Sequence, residues 1–555
     1  MMAVGRLSGW AVRGSVAAVV CLTAQPPNRL TAQDTSTIDR GVRIGIIYRP
    51  GVRPGMVMLP RKGMGLDSVR AIVARDLDYS DRFEIISLPG GDSIRLATPS
   101  SGGTKTAHSD RTLSAALNYA LYQALGADFA LDITAAGDTT VGTLHDIAAA
   151  GVRRTVRAVV PRSTDPEFRQ AVHRLADQMV QAALGTAGIA ATRVLFVKDG
   201  KVYQIDQDGA DQKLVSSSDR QAMSPAWESD GRRFAYMEFQ AGHGWLYVQE
   251  MATGKRSAVA TTGTALDFTP AFSPDGQTLA FSRATEEGTD IYTINVKNNC
   301  CLRRLTVGHF SDNLSPTFSP DGQRIAFVST RPGLPQIYVM AADGTDQQLF
   351  APFDYGVTGA SNAPEWSPDG QSVAFHRDVA GTLQVFVLDV RTRTVRQLTS
   401  VGRNEDPTWA PDSRHLAFVS TRPGLPQIYV MAADGTDQQL FAPFDYGVTG
   451  ASNAPEWSPD GQSVAFHRDV AGTLQVFVLD VRTRTVRQLT SVGRNEDPTW
   501  APDSRHLAFV SDRSGYRQLW IIDLDTGRIR PLLQHSGARL PAWSPRLSEA
   551  TSSTP

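Results

Sequence analysis

The stretch "APEWSPDGQSVAFHRD", Ala363 to Asp378, decides the fold of this 555-residue chain. Trp366 and the apolar run "SVAFHR" flank an Asp369-Gly370 pair of the kind that closes a tight hairpin. A second alternating run, "TLQVFVLDV" from Thr382, and a weaker one, "TVRQLT" from Thr394, complete four strands. A four-stranded sheet has two faces and cannot cover both by itself. Neighbours of the same kind are required.

They are present. The signature recurs as "SPAWESDG" at Ser224, "TPAFSPDG" at Thr269, "SPTFSPDG" at Ser315, "DPTWAPDS" at Asp406, "APEWSPDG" at Ala454 and "DPTWAPDS" at Asp497, spaced by 43 to 48 residues. That period is the size of one propeller blade. A partial signature, "LPAWSP" from Leu540, supplies only a first strand, and the missing strands stand in "RVLFVKDGKVYQIDQDGADQKLV", Arg193 to Val215. Closing the ring with strands from both ends of the repeat region removes exposed sheet edges. The expectation is seven internal blades and one composite, eight in all.

Asp275, Asp321, Asp369 and Asp460 of the signature are read as turn residues rather than converging metal ligands, because a Pro-Asp-Gly hairpin needs Asp for its geometry alone. The tryptophans are read as packing between blades.

Residues 326–420 recur letter for letter as 417–511, an offset of 91 residues, or two whole blades. Insertion of whole repeats keeps every strand on its proper face, whereas a fractional insertion moves core side chains to solvent. Without the duplicate the ring has six blades. With it, the ring either widens or expels two.

Upstream, Arg6 and Arg13 precede an apolar run near Val16 to Ala24 that is too short to span a bilayer, so residues 1–32 are expected to be an export signal. Residues 41–188 read as an α/β domain. Its expected strands are "VRIGIIY" (Val42 to Tyr48), "RFEIIS" and "ADFALDI", followed by a hairpin over Val141 to Ala148 and Val152 to Val160. One helix is expected around Val69, Ile72, Val73 and Leu77, capped by Asp67 or Ser68, and another carries Leu113, Leu117, Leu121 and Leu125. The last opens at Asp165-Pro166-Glu167, buries Phe168, Val172, Leu175 and Met179, and stops at Gly185. A Gly- and Ser-rich loop is expected over Leu88 to Asp110. The propeller follows over 192–547.

With 55 basic and 56 acidic residues the chain has no global field for nucleic acid or an anionic membrane. It carries no phosphate-binding loop, HExxH or GxSxG signature, and His108, His145 and His173 stand singly. Cys300 and Cys301 are adjacent, with no distant cysteine outside the signal to pair with. They read as two thiols, or as a vicinal disulfide.

The export signal, the α/β domain running directly into "ATRVLFV" and the "SPxWSPDGxxxAF" blades together resemble the TolB family, periplasmic propellers of the Tol-Pal system. The resemblance implies a non-enzymatic, periplasmic, monomeric binding protein without cofactor or metal. Its partners would be a Pal-type peptidoglycan-associated lipoprotein at the propeller and a TolA-like inner-membrane protein at the N-terminal segment and domain, with residues 33–40 facing the latter. It would be peripheral to the outer membrane through these partners and maintain envelope integrity, cell division and protein transport. Loops just before the blade signatures would form the binding mouth, offering Asp267, Asp312, Asn313, Asn362, Asn404, Glu405, Asn453, Asn495 and Glu496. Six is the blade number the resemblance implies, and this chain departs from it. The alternative is a solitary exported propeller that binds a carbohydrate, peptide or metal. A prolyl-oligopeptidase-type enzyme would need a hydrolase domain with a serine elbow, and only ten residues follow Pro545.

Overall fold

The computed structural model describes residues 53–60, 65–88, 117–240, 243–251, 253–259, 265–349, 359–440, 451–533 and 537–546. The expected signal, the strand at 42–48, residues 33–40, nearly all of the loop at 88–110 and Leu113 of the second expected helix lie outside the described residues.

The first part is a five-stranded sheet of β1 (Gly55–Met58), β2 (Glu84–Ile86), β3 (Phe129–Ala136), β4 (Thr139–Asp146) and β5 (Gly151–Val159), in the order β2-β1-β3-β4-β5. β1 runs parallel to β2 and β3, and β3, β4 and β5 form an antiparallel meander. Alternation along β1 sends Met56 to the face covered by α1 (Asp67–Tyr79) and α3 (Phe168–Leu184), and Val57 to the face covered by α2 (Tyr119–Ala124). At Gly142 a Cβ would stand 3.2 Å from Met179, so glycine lets α3 lie close on β4.

Three helix boundaries correct the sequence reading. Leu66 is the N-cap of α1 and makes no side-chain cap bond, leaving Asp67 as the first helical residue, paired to Arg70. α2 begins at Tyr119 because Asn118 Oδ1 accepts the Leu121 N–H and caps the helix there. α3 begins at Phe168; Asp165 closes a turn ahead of it by accepting the Glu167 N–H, and Gly185 at φ 74 ends it.

The second part is an eight-bladed propeller. Seven blades are consecutive four-stranded antiparallel sheets whose innermost strands are Gln221–Trp227, Leu266–Phe272, Asn313–Phe318, Ser361–Trp366, Asn404–Trp409, Ser452–Trp457 and Asn495–Trp500. The eighth joins Ala538–Trp543 to Arg193–Lys198, Lys201–Asp206 and Lys213–Leu214. Blades 1 and 2 also share a single bridge, Gly244 to Leu266. A separate apolar cluster fills every junction between neighbours, including blade 7 with 8 and blade 8 with 1. All eight blades therefore stand in one closed ring, and none is expelled.

The signature explains the blade. Its proline has no N–H to give the ladder, and the innermost strand bulges there: the residue before it takes φ 54 at Ala363, 51 at Asp406 and 50 at Thr269. The signature Asp does what a turn needs. Asp369 Oδ1 accepts the Ser367 hydroxyl and the Gln371 N–H, and Asp275, Asp321 and Asp460 repeat the pattern. These carboxylates are bound within separate hairpins.

The tryptophans of the five complete signatures that carry one reach back across a blade junction, whereas Trp543 of the partial signature donates to Thr192 Oγ1. The indole N–H of Trp409 donates to Glu365 O at 3.1 Å and that of Trp500 to Glu456 O at 3.0 Å; Trp227 reaches Ala542 O at 3.0 Å across the closure. Such a bond is worth about 1 kcal/mol net, beyond the area that the ring buries. The duplicate fits because its junctions meet the same partner: Trp366 donates to Thr317 O outside the repeat, and Trp457 donates to Thr408 O inside it.

One feature of the duplicated blades is sensitive to pH. Glu365 and Glu456 accept only neutral donors, Thr408 and Trp409 or Thr499 and Trp500, and burial pushes each carboxyl up to about 7. The folded chain holds more protons here than the unfolded chain above about pH 4.5, so stability falls as pH rises toward 7 and the cost persists above it. Glu365→Gln with Glu456→Gln keeps the acceptor oxygens and removes the charge. Thermal denaturation at pH 8 is expected to rise by a few degrees in this variant, with little change at pH 5.

Candidate functional site

In a four-stranded blade the first and third connections lie on one face of the ring, and the second connection and the link to the next blade lie on the other. The two faces of this ring differ in chemistry.

On the first face the propeller meets the α/β part through buried charge. Arg169 and Arg75 grip Asp208, Arg169 and Arg193 grip Asp206, and His173 lies between Asp76 at 2.7 Å and Asp206 at 3.5 Å, all three wholly or almost wholly buried. On blade 7, Arg528 bonds Asp78 and Asp81, Arg82 bonds Asp503, and buried His506 is surrounded by Asp503, Asp81 and Asp523. Burial opposes charge on both histidines, but the facing carboxylates push His173 up to about 10 and raise His506 likewise; against burial, His173 with Arg193 and His506 with Arg82 hold Asp206 and Asp503 far below the usual carboxylate range. Asp76, His173 and Asp208, and Asp81, His506 and Asp523, are close enough to surround a cation. Arg75 and Arg169 hold Asp208, Arg528 holds Asp81 and Arg505 holds Asp523, while Asp76 bonds the His173 imidazole; with the carboxylates keeping both imidazoles protonated, this chemistry is that of a structural seam.

A groove of about 910 Å³ runs beside the seam, lined by Arg82, Thr186, Asp460, Arg487, Asp503 and Arg546 among others. It carries both signs of charge and no convergent set of groups.

The opposite face is apolar where the links emerge. Phe310 is 89% exposed, Tyr516 65%, Val401 64% and Val492 61%, and Val307, Leu334 and Leu425 lie in the same two sets of loops. Exposed apolar side chains also stand singly elsewhere, as at Val159 and Leu540, but seven on the loops of one face make that face a candidate interaction surface. The loops are held firmly. Arg331 lies 4.3 Å over Tyr338, Arg422 4.9 Å over Tyr429, and Arg513 4.9 Å over Trp520.

The nine residues expected at the mouth all stand at the start of innermost strands, on this apolar face, but four are not available to a partner. Asp267 is gripped by Arg283 at 2.6 and 2.8 Å. Asn313 is buried and donates to Thr289 O and Asp290 Oδ1. Asn404 and Asn495, also buried, donate to Gln384 and Gln475 and to the carbonyls of Val401 and Gly402, or Val492 and Gly493. They shape the links instead of facing solvent. Asp312 is exposed, whereas Asn362, Asn453, Glu405 and Glu496 are half-buried; Arg403 pairs with Glu405, and Arg494 and Arg517 pair with Glu496. The neighbouring apolar residues were missed because the polar ones drew the reading. The available signal was a valine before glycine in three of the links, "TVGHF" once and "TSVGR" twice.

Comparison with known proteins agrees with this architecture. The family described as the TolB beta propeller domain matches residues 181–353, 355–446 and 445–551. The Tol-Pal system protein TolB of Methylococcus capsulatus is 32% identical over 217 residues, 37% of this chain and 47% of that protein. The protein of the same name from Bordetella avium is 29% identical over 195 residues, 34% of this chain and 40% of that one. The matched region thus spans less than half the length of either relative. The crystal structure of TolB from Acinetobacter baumannii superposes with a TM-score of 0.50 at 21% identity, covering 89% of this chain and 98% of that one, a likeness of fold. With the family match lying over the blades themselves, the chain belongs to the TolB β-propeller family.

Proposed function

We propose that this protein is a non-enzymatic periplasmic component of a Tol-Pal envelope system, binding a Pal-type lipoprotein on the propeller and a TolA-like protein through its N-terminal part. The observation that carries the reading is the segregation of the ring: a charged seam occupies one face, and exposed Phe310, Val401 and Val492 on the links and Tyr516 on a second connection stand on the other. Rigid blades that present apolar anchors with a polar rim suit protein capture, because little order must be lost on binding. Asp312, Asn362, Glu405, Asn453 and Glu496 would form that rim. Among the described residues no helix is long and apolar enough to cross a membrane.

The test is a pull-down of the tagged chain from a cross-linked envelope extract, with partners identified by mass spectrometry. Recovery of a peptidoglycan-binding lipoprotein, lost when Phe310 and Tyr516 are both changed to Asp, supports the reading. Recovery of no envelope protein, with retention of an oligosaccharide or peptide, would replace it with that of a solitary exported propeller.

A further inference from the structure

The adjacent cysteines take no part in the seam or in the apolar face. They begin the outermost strand of blade 2, Cys300–Arg304, Cys301 exposed and Cys300 half-buried, both as free thiols. In a regular strand two neighbouring side chains point to opposite faces, which would keep the sulfurs apart. This strand is irregular at that point. Thr293 pairs with Arg303 and Asn295 with Cys300, so the single residue Ile294 faces two, Cys301 and Leu302. Cys301 turns to φ 64, a left-handed conformation that non-glycine residues seldom adopt. The alternation is broken there, and the neighbouring Cys301 thiol holds the Cys300 pKa up.

We infer that Cys300 and Cys301 form a chelating dithiol site for thiophilic trivalent metalloid centres of the arsenic type. Two sulfurs held on one bulge can both bond to one soft centre, and thiolate ligands select soft ions. Zinc calls for four ligands, and among the described residues neither cluster of potential metal ligands includes this pair. The exchange involves no oxidation. An organoarsenic dihydroxide, RAs(OH)2, forms two As–S bonds and loses both hydroxyls, each leaving as water with one thiol proton. This inference is independent of the docking reading.

The test uses the full chain carrying Cys21→Ser, which leaves the pair as the sole thiols, and phenylarsine oxide as the probe. Reduced protein is expected to take up one phenylarsenic group per chain, to keep it in excess glutathione and to lose it to a dithiol. Cys300→Ser and Cys301→Ser are each expected to weaken uptake about a hundredfold, since the second bond is then no longer intramolecular. The remaining cysteine should still react with iodoacetamide, showing that it stays accessible. Lack of an adduct on the reduced pair, or an adduct of equal strength on either single variant, would overturn the site. So would recovery of the pair under the same reductant as a disulfide, lighter by two hydrogens.

Discussion

Deletion of Ala326 to Leu416 is expected to give a soluble six-bladed ring that melts in one cooperative transition and binds the lipoprotein about tenfold more tightly, a gain of roughly 1.4 kcal/mol. The deletion joins Ile325 to Ala417, restoring the second strand of a blade with its original sequence. Trp457 then meets Thr317 O, the acceptor that Trp366 uses in the longer chain. Each junction opens from one eighth to one sixth of a turn, and the loops that carry Phe310, Val492 and Tyr516 draw closer around the mouth. Removal of the two middle strands of blade 4, Ser372–Val379 and Thr382–Asp389, is the control. That leaves Trp366 on an unpaired strand and is expected to give insoluble protein. Circular dichroism and differential scanning calorimetry report folding, and titration calorimetry reports binding. Equal affinity of the two rings would contradict the expected cost of the added blades.

His506→Ala is expected to cost about 3–5 kcal/mol, because it leaves the Asp81, Asp503 and Asp523 carboxylates clustered around a buried vacancy. That cluster and Arg528 on Asp78 and Asp81 make the blade 7 half of the seam, so the α/β part should loosen from the ring there. Calorimetry would show the single transition split into two, and limited proteolysis would cut near Gly185. The pH dependence has a definite sign. His173 keeps its proton up to about 10 in the folded chain against an ordinary value of 6.5, so its contribution is complete below about 6.5 and is lost as pH rises toward 10. Over that range the folded chain binds more protons than the unfolded one, and wild-type stability must fall. A His173→Ala variant, weaker throughout, should show a flatter decline.

The ring was legible in the sequence because its signature is local. The Pro that makes the bulge, the Asp-Gly that makes the hairpin and the Trp that crosses the junction lie within eight residues of one another, as in "APEWSPDG" at Ala363. The composite blade followed from the same signature, since "LPAWSP" lacked its remaining strands. Helix starts were less legible. Leu117 continues the apolar periodicity, but Asn118 bonds the Leu121 N–H and begins α2 only after it. The seam was not legible at all: His173 and Asp206, or His506 and Asp81, are joined only by how the α/β part rests on the ring. For the same reason Asn404 and Asn495 looked like surface groups. Their burial depends on Gln384 and Gln475 in the preceding blade, a contact with no local signal.

The most direct measurement is a calorimetric titration of the purified chain with the soluble domain of the Pal-type lipoprotein, in parallel with the Phe310→Asp, Tyr516→Asp variant. The account predicts one saturable complex for the wild-type chain and at least tenfold weaker binding for the variant at unchanged melting temperature. Equal affinities for both chains would show that the partner docks elsewhere and that the apolar face is not the binding surface.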